Sequence, residues 1–291
     1  MNKYIFNSLV LSVLYIPLLF TDTATGKPSV VRQVNDNYLQ VFEKARYNYH
    51  RGCYVDAWVQ FEDLVRQNPN HAMTFAYAGL CDKKLYLDPS EDIWRAKELI
   101  NPDQPDYLFT RALLFYTNDE FEECERVLKK YLVDFPNDKY ARQLLGLTQV
   151  NIGLPFEGLL TLNKLLKSEP DFYPAYLCKG YAHVGLGQYK DALVSFETFL
   201  RNDPNNLNAL DAYAEGLASA GERDKAIAQL TKAVLMDSGY VYGWDRLGDL
   251  LIKTGNFKSA RAAFLNAKKL NKWYGPAFAE GIDKKLSELP Q

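Results

Sequence analysis

Residues 241–274 read VYGWDRLGDLLIKTGNFKSARAAFLNAKKLNKWY. Gly255 divides the stretch into two segments of helical character. Gly248 sits in the first, Ala260 in the second, and Phe264 follows Ala260 by four positions. Two helices approach closely where both carry a small residue, and a large residue one turn further on fills the groove beside them. A glycine between the halves suits a turn that needs a left-handed residue after the first helix. The stretch reads as one helix–turn–helix hairpin.

The hairpin recurs along the chain, and such repeats decide the architecture. Gly153, Gly187, Gly221 and Gly255 are each 34 residues apart. Pro136, Pro170 and Pro204 keep the same spacing, and Ser238 continues it. The prolines fall after the second helix, which they stop. Seven frames result: 38–71, 72–104, 105–138, 139–172, 173–206, 207–240 and 241–274. The eighth position is Ala45, Gly79, Ala112, Gly146, Gly180, Ala214 or Gly248. The twentieth is Ala57, Cys124, Gly158, Ala192, Ala226 or Ala260, with frame two left out. Four residues later stand Phe61, Leu128, Leu162, Phe196, Leu230 and Phe264.

The second frame, 72–104, is irregular and one residue short. Its small slot slips to Ala96, with Ile100 four residues on. Its turn is expected over Lys83 to Ser90, where Asp88 or Ser90 caps the next helix. Residues 275–291 supply a last helix, over 276–287, that begins at Pro276. Its charged Asp283, Lys284, Lys285 and Glu288 suit the polar end-cap a solenoid needs.

Frame seven, with Trp244-x-x-Leu247-Gly248 and then Ala260-x-x-x-Phe264, resembles the tetratricopeptide repeat family. Leu251 replaces the family's usual tyrosine. The resemblance covers residues 38–274. It implies an all-α, right-handed solenoid whose first helices line a concave groove. Carried onto this chain, the family's groove positions are Phe42, Arg46 and Tyr49 in frame one, and Met73, Ala76, Leu80 and Lys83 in frame two. Frames three to five add Phe109, Leu113, Tyr116, Tyr140, Gln143, Leu147, Leu177, Tyr181 and Val184. Frames six and seven add Asn208, Asp211, Glu215, Tyr242, Asp245 and Asp249. The middle of this surface is aromatic and aliphatic, and its end is acidic. The family's chaperone-binding members grip a C-terminal carboxylate with basic residues at these positions. The acidic end here argues against that use.

The 291 residues are 47% hydrophobic and 24% charged, a composition that folds. The net charge of −2 gives no field for a polyanion, so nucleic acid is not an expected partner. Residues 1–26 read differently. Lys3 precedes an apolar run from Leu9 to Phe20, and Ala24-Thr25-Gly26 fits a cleavage site. The run is short for a membrane span of roughly 20 residues. It is expected to be a signal peptide, or else an uncleaved anchor that is the chain's one membrane contact. Residues 27–37 read as a linker. The rest of the chain has no Asn-x-Ser/Thr sequon, which favours a bacterial periplasm or envelope over a eukaryotic secretory route.

No metalloprotease, phosphate-loop or nucleophile-elbow motif occurs. His50, His71 and His183 are too scattered along the stack to share a metal. No metal or other cofactor is expected, and the chain reads as a non-enzyme. Of four cysteines, Cys53 and Cys81 lie at one edge of the stack and are the one pair considered for a disulfide. The expected function is an envelope adaptor that binds a protein or peptide segment with apolar side chains and a basic end. Such an adaptor serves assembly of a secretion, pilus or polysaccharide-export machine. A periplasmic holdase and an accessory subunit of an envelope enzyme are the alternatives.

Overall fold

The frames become helix pairs because small residues let two helices meet and a large one locks them. A computed structural model describes residues 36–237, 239–271 and 274–290. Residues 40–291 form one compact unit, distinct from residues 1–39. The signal segment and nearly all of the linker lie outside the described residues. The linker's last two positions, Asp36 and Asn37, already belong to the first helix.

The helices are α1 (Asp36–His50), α2 (Tyr54–Gln67), α3 (Ala72–Lys84), α4 (Ser90–Leu99), α5 (Tyr107–Thr117), α6 (Phe121–Asp134), α7 (Lys139–Asn151) and α8 (Pro155–Ser168). They continue as α9 (Pro174–Gly185), α10 (Tyr189–Asn202), α11 (Leu207–Ser219), α12 (Arg223–Met236), α13 (Val241–Lys253), α14 (Phe257–Leu270) and α15 (Pro276–Glu288). There is no strand among the described residues. Each odd-numbered helix up to α13 pairs with the next to make a hairpin, and α15 rests on α14.

The seam chemistry is direct. A Cβ on Gly146 would lie 2.6 Å from Leu162, one on Gly180 2.2 Å from Phe196, and one on Gly248 2.4 Å from Phe264. The large residue of each frame thus sits in the space its own glycine leaves. Phe196, Phe264 and Leu162 are fully buried. Such burial stabilises by about 1.5–3 kcal/mol per side chain. Asp138 accepts from the amides of Tyr140 and Ala141, and Asn206 from that of Ala209, so both cap their helices.

The turn between paired helices is left-handed at the same place in all seven hairpins. Gly52, Gly153, Gly187, Gly221 and Gly255 have φ between 69° and 86°, while Tyr86 has 55° and Asp119 has 61°. Frame two therefore keeps its turn in register at Tyr86. The longer connection expected over Lys83 to Ser90 is there: α3 ends at Lys84 and α4 begins only at Ser90, where the Asp88 carboxylate accepts from the Ser90 amide at 3.0 Å. Ala96 is fully buried, as the slipped slot requires, but Ile100 lies just beyond the end of α4. In place of a small–small contact, this seam holds a carboxyl pair, Asp82 on α3 and Asp92 on α4. Burial, then the hydrogen bond to Asp82, push Asp92 up to about 8. Trp58 Nε1 donates to Asp82 at 2.8 Å. Every residue of α3 from Ala72 to Asp82 is buried, so this helix is enclosed on all sides.

Candidate partner-binding groove

The first helices of successive hairpins lie side by side, with α7, α9, α11 and α13 in neighbouring contact. Together they form the surface that the resemblance assigns to a partner. In this structure the chain's own first hairpin is seated there. The turn between α1 and α2 reaches across to α7 and to the start of α11. Arg51 pairs with Asp203 at 2.6 Å. Asn206 Nδ2 donates to the Arg51 carbonyl at 3.2 Å, with the Cys53 Sγ at 3.5 Å. Gln143 Nε2 donates to the carbonyls of His50 and Pro174, both at 3.2 Å. The His50 ring lies 4.8 Å from that of Tyr140, and the Arg46 guanidinium sits 4.0 Å above the same ring.

Gly52 records the closeness of the fit. A Cβ there would lie 2.3 Å from Asn208 Nδ2 and 3.0 Å from its Cβ. The other four turn glycines have nothing within 4 Å of that position. The turn of the second hairpin makes its own contact. The Gly275 amide donates to the Leu85 carbonyl at 2.9 Å. The Tyr86 ring lies 5.6 Å from Phe278 and 6.3 Å from Tyr274. A Cβ on Gly275 would be 1.9 Å from the Tyr86 carbonyl oxygen.

The residues expected to face a partner do not share one environment. Phe42 packs edge-on against Phe61, Phe109 stacks on Tyr131 and Leu113 is fully buried, so these belong to the hairpin cores. Leu177 is buried in the cluster around Phe196. Tyr49, Tyr116, Tyr140 and Gln143 are also buried, and Arg46, Tyr140 and Gln143 hold the inserted turn. Tyr181 and Tyr242 are half-buried. The Tyr116 hydroxyl accepts from Asn151 Nδ2 at 3.0 Å. A cavity of about 200 Å³ beside it is lined by Leu80, Lys83, Lys84, Tyr116, Phe121 and Asn151.

The acidic end is already paired, two cations against four carboxylates. Arg246 pairs with Asp211 and Glu215, both at 3.2 Å. Lys285 pairs with Asp245 at 2.6 Å and Asp249 at 2.9 Å. Burial pushes Asp211 up to about 6, even against the pull of Arg246. Neither cation was among the residues expected at the site. Arg246 is legible in hindsight, since it lies one repeat length plus one residue beyond Asp211. Arg51 carries no periodic signal, while Asp203 and Asn206 fall in columns, with Glu169 and Asp237 and with Asp138, that mark helix ends and not a contact with the first hairpin.

The histidines and cysteines are structural here. His50 Nε2 is 2.9 Å from the Tyr77 hydroxyl, and burial, then the charge of Arg46, push its pKa down to about 3. It is neutral at any ordinary pH. Cys53 and Cys81 are free thiols and not a disulfide: Cys53 faces Asn206 in the groove and Cys81 is buried on α3. Among the described residues, no three His, Cys, Asp or Glu side chains are grouped to hold a metal. No described helix is long and apolar enough to cross a membrane.

Family models described as tetratricopeptide repeat match residues 177–240 and 241–272. A solved tetratricopeptide repeat protein from Parabacteroides merdae superposes with a TM-score of 0.59 at 17% identity, covering 86% of this chain and 99% of that one. The fold is a tetratricopeptide-repeat solenoid. The Cut9–Hcn1 hetero-tetramer structure of APC/C gives a TM-score of 0.63 at 12% identity, over 85% of this chain and 48% of that one. By sequence, the TPR repeat-containing protein MJ1428 of Methanocaldococcus jannaschii is 30% identical over 144 residues, 46% of this chain and 25% of the relative. The peroxisomal targeting signal receptor of Candida glabrata is 30% identical over 93 residues, 32% of this chain and 16% of the relative. The chain thus spans a quarter or less of these relatives. Tetratricopeptide repeats generally serve as protein–protein interaction scaffolds.

Proposed function

We propose that the chain is a non-enzymatic adaptor of the bacterial cell envelope, exported by residues 1–26, that holds a partner segment against α7, α9, α11 and α13. One observation carries the reading. This surface already holds a length of polypeptide, gripping its carbonyls through Gln143 and Asn206 and its arginine through Asp203. Carbonyl-directed amides and one charge are the means by which a scaffold holds a segment it does not alter. The relative named a targeting signal receptor supports segment binding as the mode. Tyr181 and Tyr242, half-buried and beside this surface, are the aromatic residues placed to add contact.

In-cell photo-crosslinking from position 181, followed by mass spectrometry, tests the reading. One stoichiometric envelope protein is the expected capture. Many weak clients point to a holdase instead. A single enzyme whose activity requires the complex points to an accessory subunit. Recovery of the protein from the cytosol with residues 1–26 intact overturns the location.

A further inference from the structure

We propose that residues 49–54 are an internal ligand of the groove, displaced by a partner segment of the same chemistry: a tight turn carrying an arginine between aromatic side chains. The inference rests on the adaptor reading and names what the adaptor binds. The turn reads Tyr49-His50-Arg51-Gly52-Cys53-Tyr54. Its seat is complementary in charge, in hydrogen bonding and in shape. Asp203 takes the guanidinium, two amides take successive carbonyls, and the absent side chain of Gly52 admits Asn208.

Three observations make the turn displaceable and not merely packed. Arg51 and Asp203 keep 27% and 21% of their side-chain surface in water, so the pair exchanges with solvent readily. Two of the seat's polar contacts fall on main-chain carbonyls, which any turn presents. The first hairpin packs without the groove: Phe42 meets Phe61 at 5.9 Å, and both rings pack on Tyr77 of the neighbouring α3 at 5.2–6.1 Å. Withdrawing the turn therefore leaves every hairpin intact. In the closed chain the turn competes intramolecularly, so an incoming segment binds weakly until the turn is loosened.

The test uses the full chain as wild type, Arg51→Glu and Arg51→Glu/Asp203→Arg. Cys53, seated beside Asn206, is a native reporter of opening, and the buried Cys81, Cys124 and Cys178 report any general loosening. Arg51→Glu is expected to speed alkylation of Cys53 at least tenfold with the other three unchanged. The swapped pair restores the slow rate. A labelled, cyclised peptide of residues 46–56 with Cys53→Ser is expected to bind the Arg51→Glu chain at least tenfold more tightly than wild type. The swapped-pair chain returns to the weak level, and a peptide with Glu in place of Arg51 binds the opened chain at least tenfold less. Unchanged Cys53 reactivity in Arg51→Glu, or a peptide affinity equal in all three chains, overturns the proposal. These measurements need no cellular partner. If they succeed while crosslinking from position 181 captures no protein, the adaptor reading fails and the internal ligand stands.

Discussion

Frames three to seven and frames one and two are built by the same rule but held by different contacts. In the later frames each hairpin leans on its neighbour through a repeated seam, such as Gly180 against Phe196 and Gly248 against Phe264. In the first two, frame one keeps its seam and frame two replaces it with the Asp82–Asp92 pair, and both turns are also bound by residues far along the chain. The difference is clearest in the turns themselves. The glycines at 153, 187, 221 and 255 are open to solvent, while Gly52 is enclosed by Asn208. A repeat array offers its groove to outside partners by default. Here the tip of the first hairpin has been folded into it, and the tip of the second is held by Gly275, Tyr274 and Phe278.

The largest effect that breaks this contrast is expected at a regular seam. Phe196→Ala removes a fully buried ring that touches Gly180 and Gly216, and should cost about 3–5 kcal/mol in chemical denaturation. It should loosen frames five and six while leaving the Arg51 contact dependent on them. Next comes the acidic end. Arg246→Met leaves Asp211 buried without its partner and should cost about 2 kcal/mol. A retained wild-type stability would show that the Arg246 pairs are solvated decoration.

The irregular frame should respond to pH over a wider window than frame six, whose buried Asp211 is raised only to about 6. Below about pH 4, Asp92 carries its proton in both the folded and the unfolded chain. Between there and its folded pKa of about 8, only the folded chain keeps the proton. The Asp82–Asp92 seam therefore loses stability as pH rises through that window. Asp92→Asn keeps a donor to Asp82 and should raise stability at pH 8 by about 1 kcal/mol, flattening the melting temperature against pH. A parallel slope in wild type and variant would remove the carboxyl pair from the account. The smallest effect is expected at Asp119→Gly. Relief of the left-handed backbone is offset by the lost Lys83 pair at 2.6 Å, leaving a change within about 0.5 kcal/mol.

The sequence made the hairpins legible because their contacts repeat. Each seam joins residues 16 apart within a frame, such as Gly180 and Phe196, so every frame restates the same evidence. The slipped small slot at Ala96 could be read for the same reason. The turn at Tyr86 could not, since only its backbone, and no glycine, marks the left-handed position. The closed groove was illegible for a deeper reason. Arg51 and Asp203 are 152 residues apart, and a single opposite-charge pair among 34 basic and 36 acidic residues stands out in no column. The acids of frames six and seven were correctly placed on the first helices. What their positions alone did not show was that Arg246 and Lys285 already satisfy them.

The separation between Arg51 and its seat also sets an order in time. A solenoid can fold from its start as it is made, because each repeat needs only the previous one. This one cannot finish that way. At about 5–20 residues per second, the 152 residues between Arg51 and Asp203 take roughly 8–30 s to synthesise. The first hairpin is complete long before the residues that receive its tip exist. During that interval the newborn chain displays its arginine to whatever escorts it, and only once the last third of the molecule exists does Asp203 take it back.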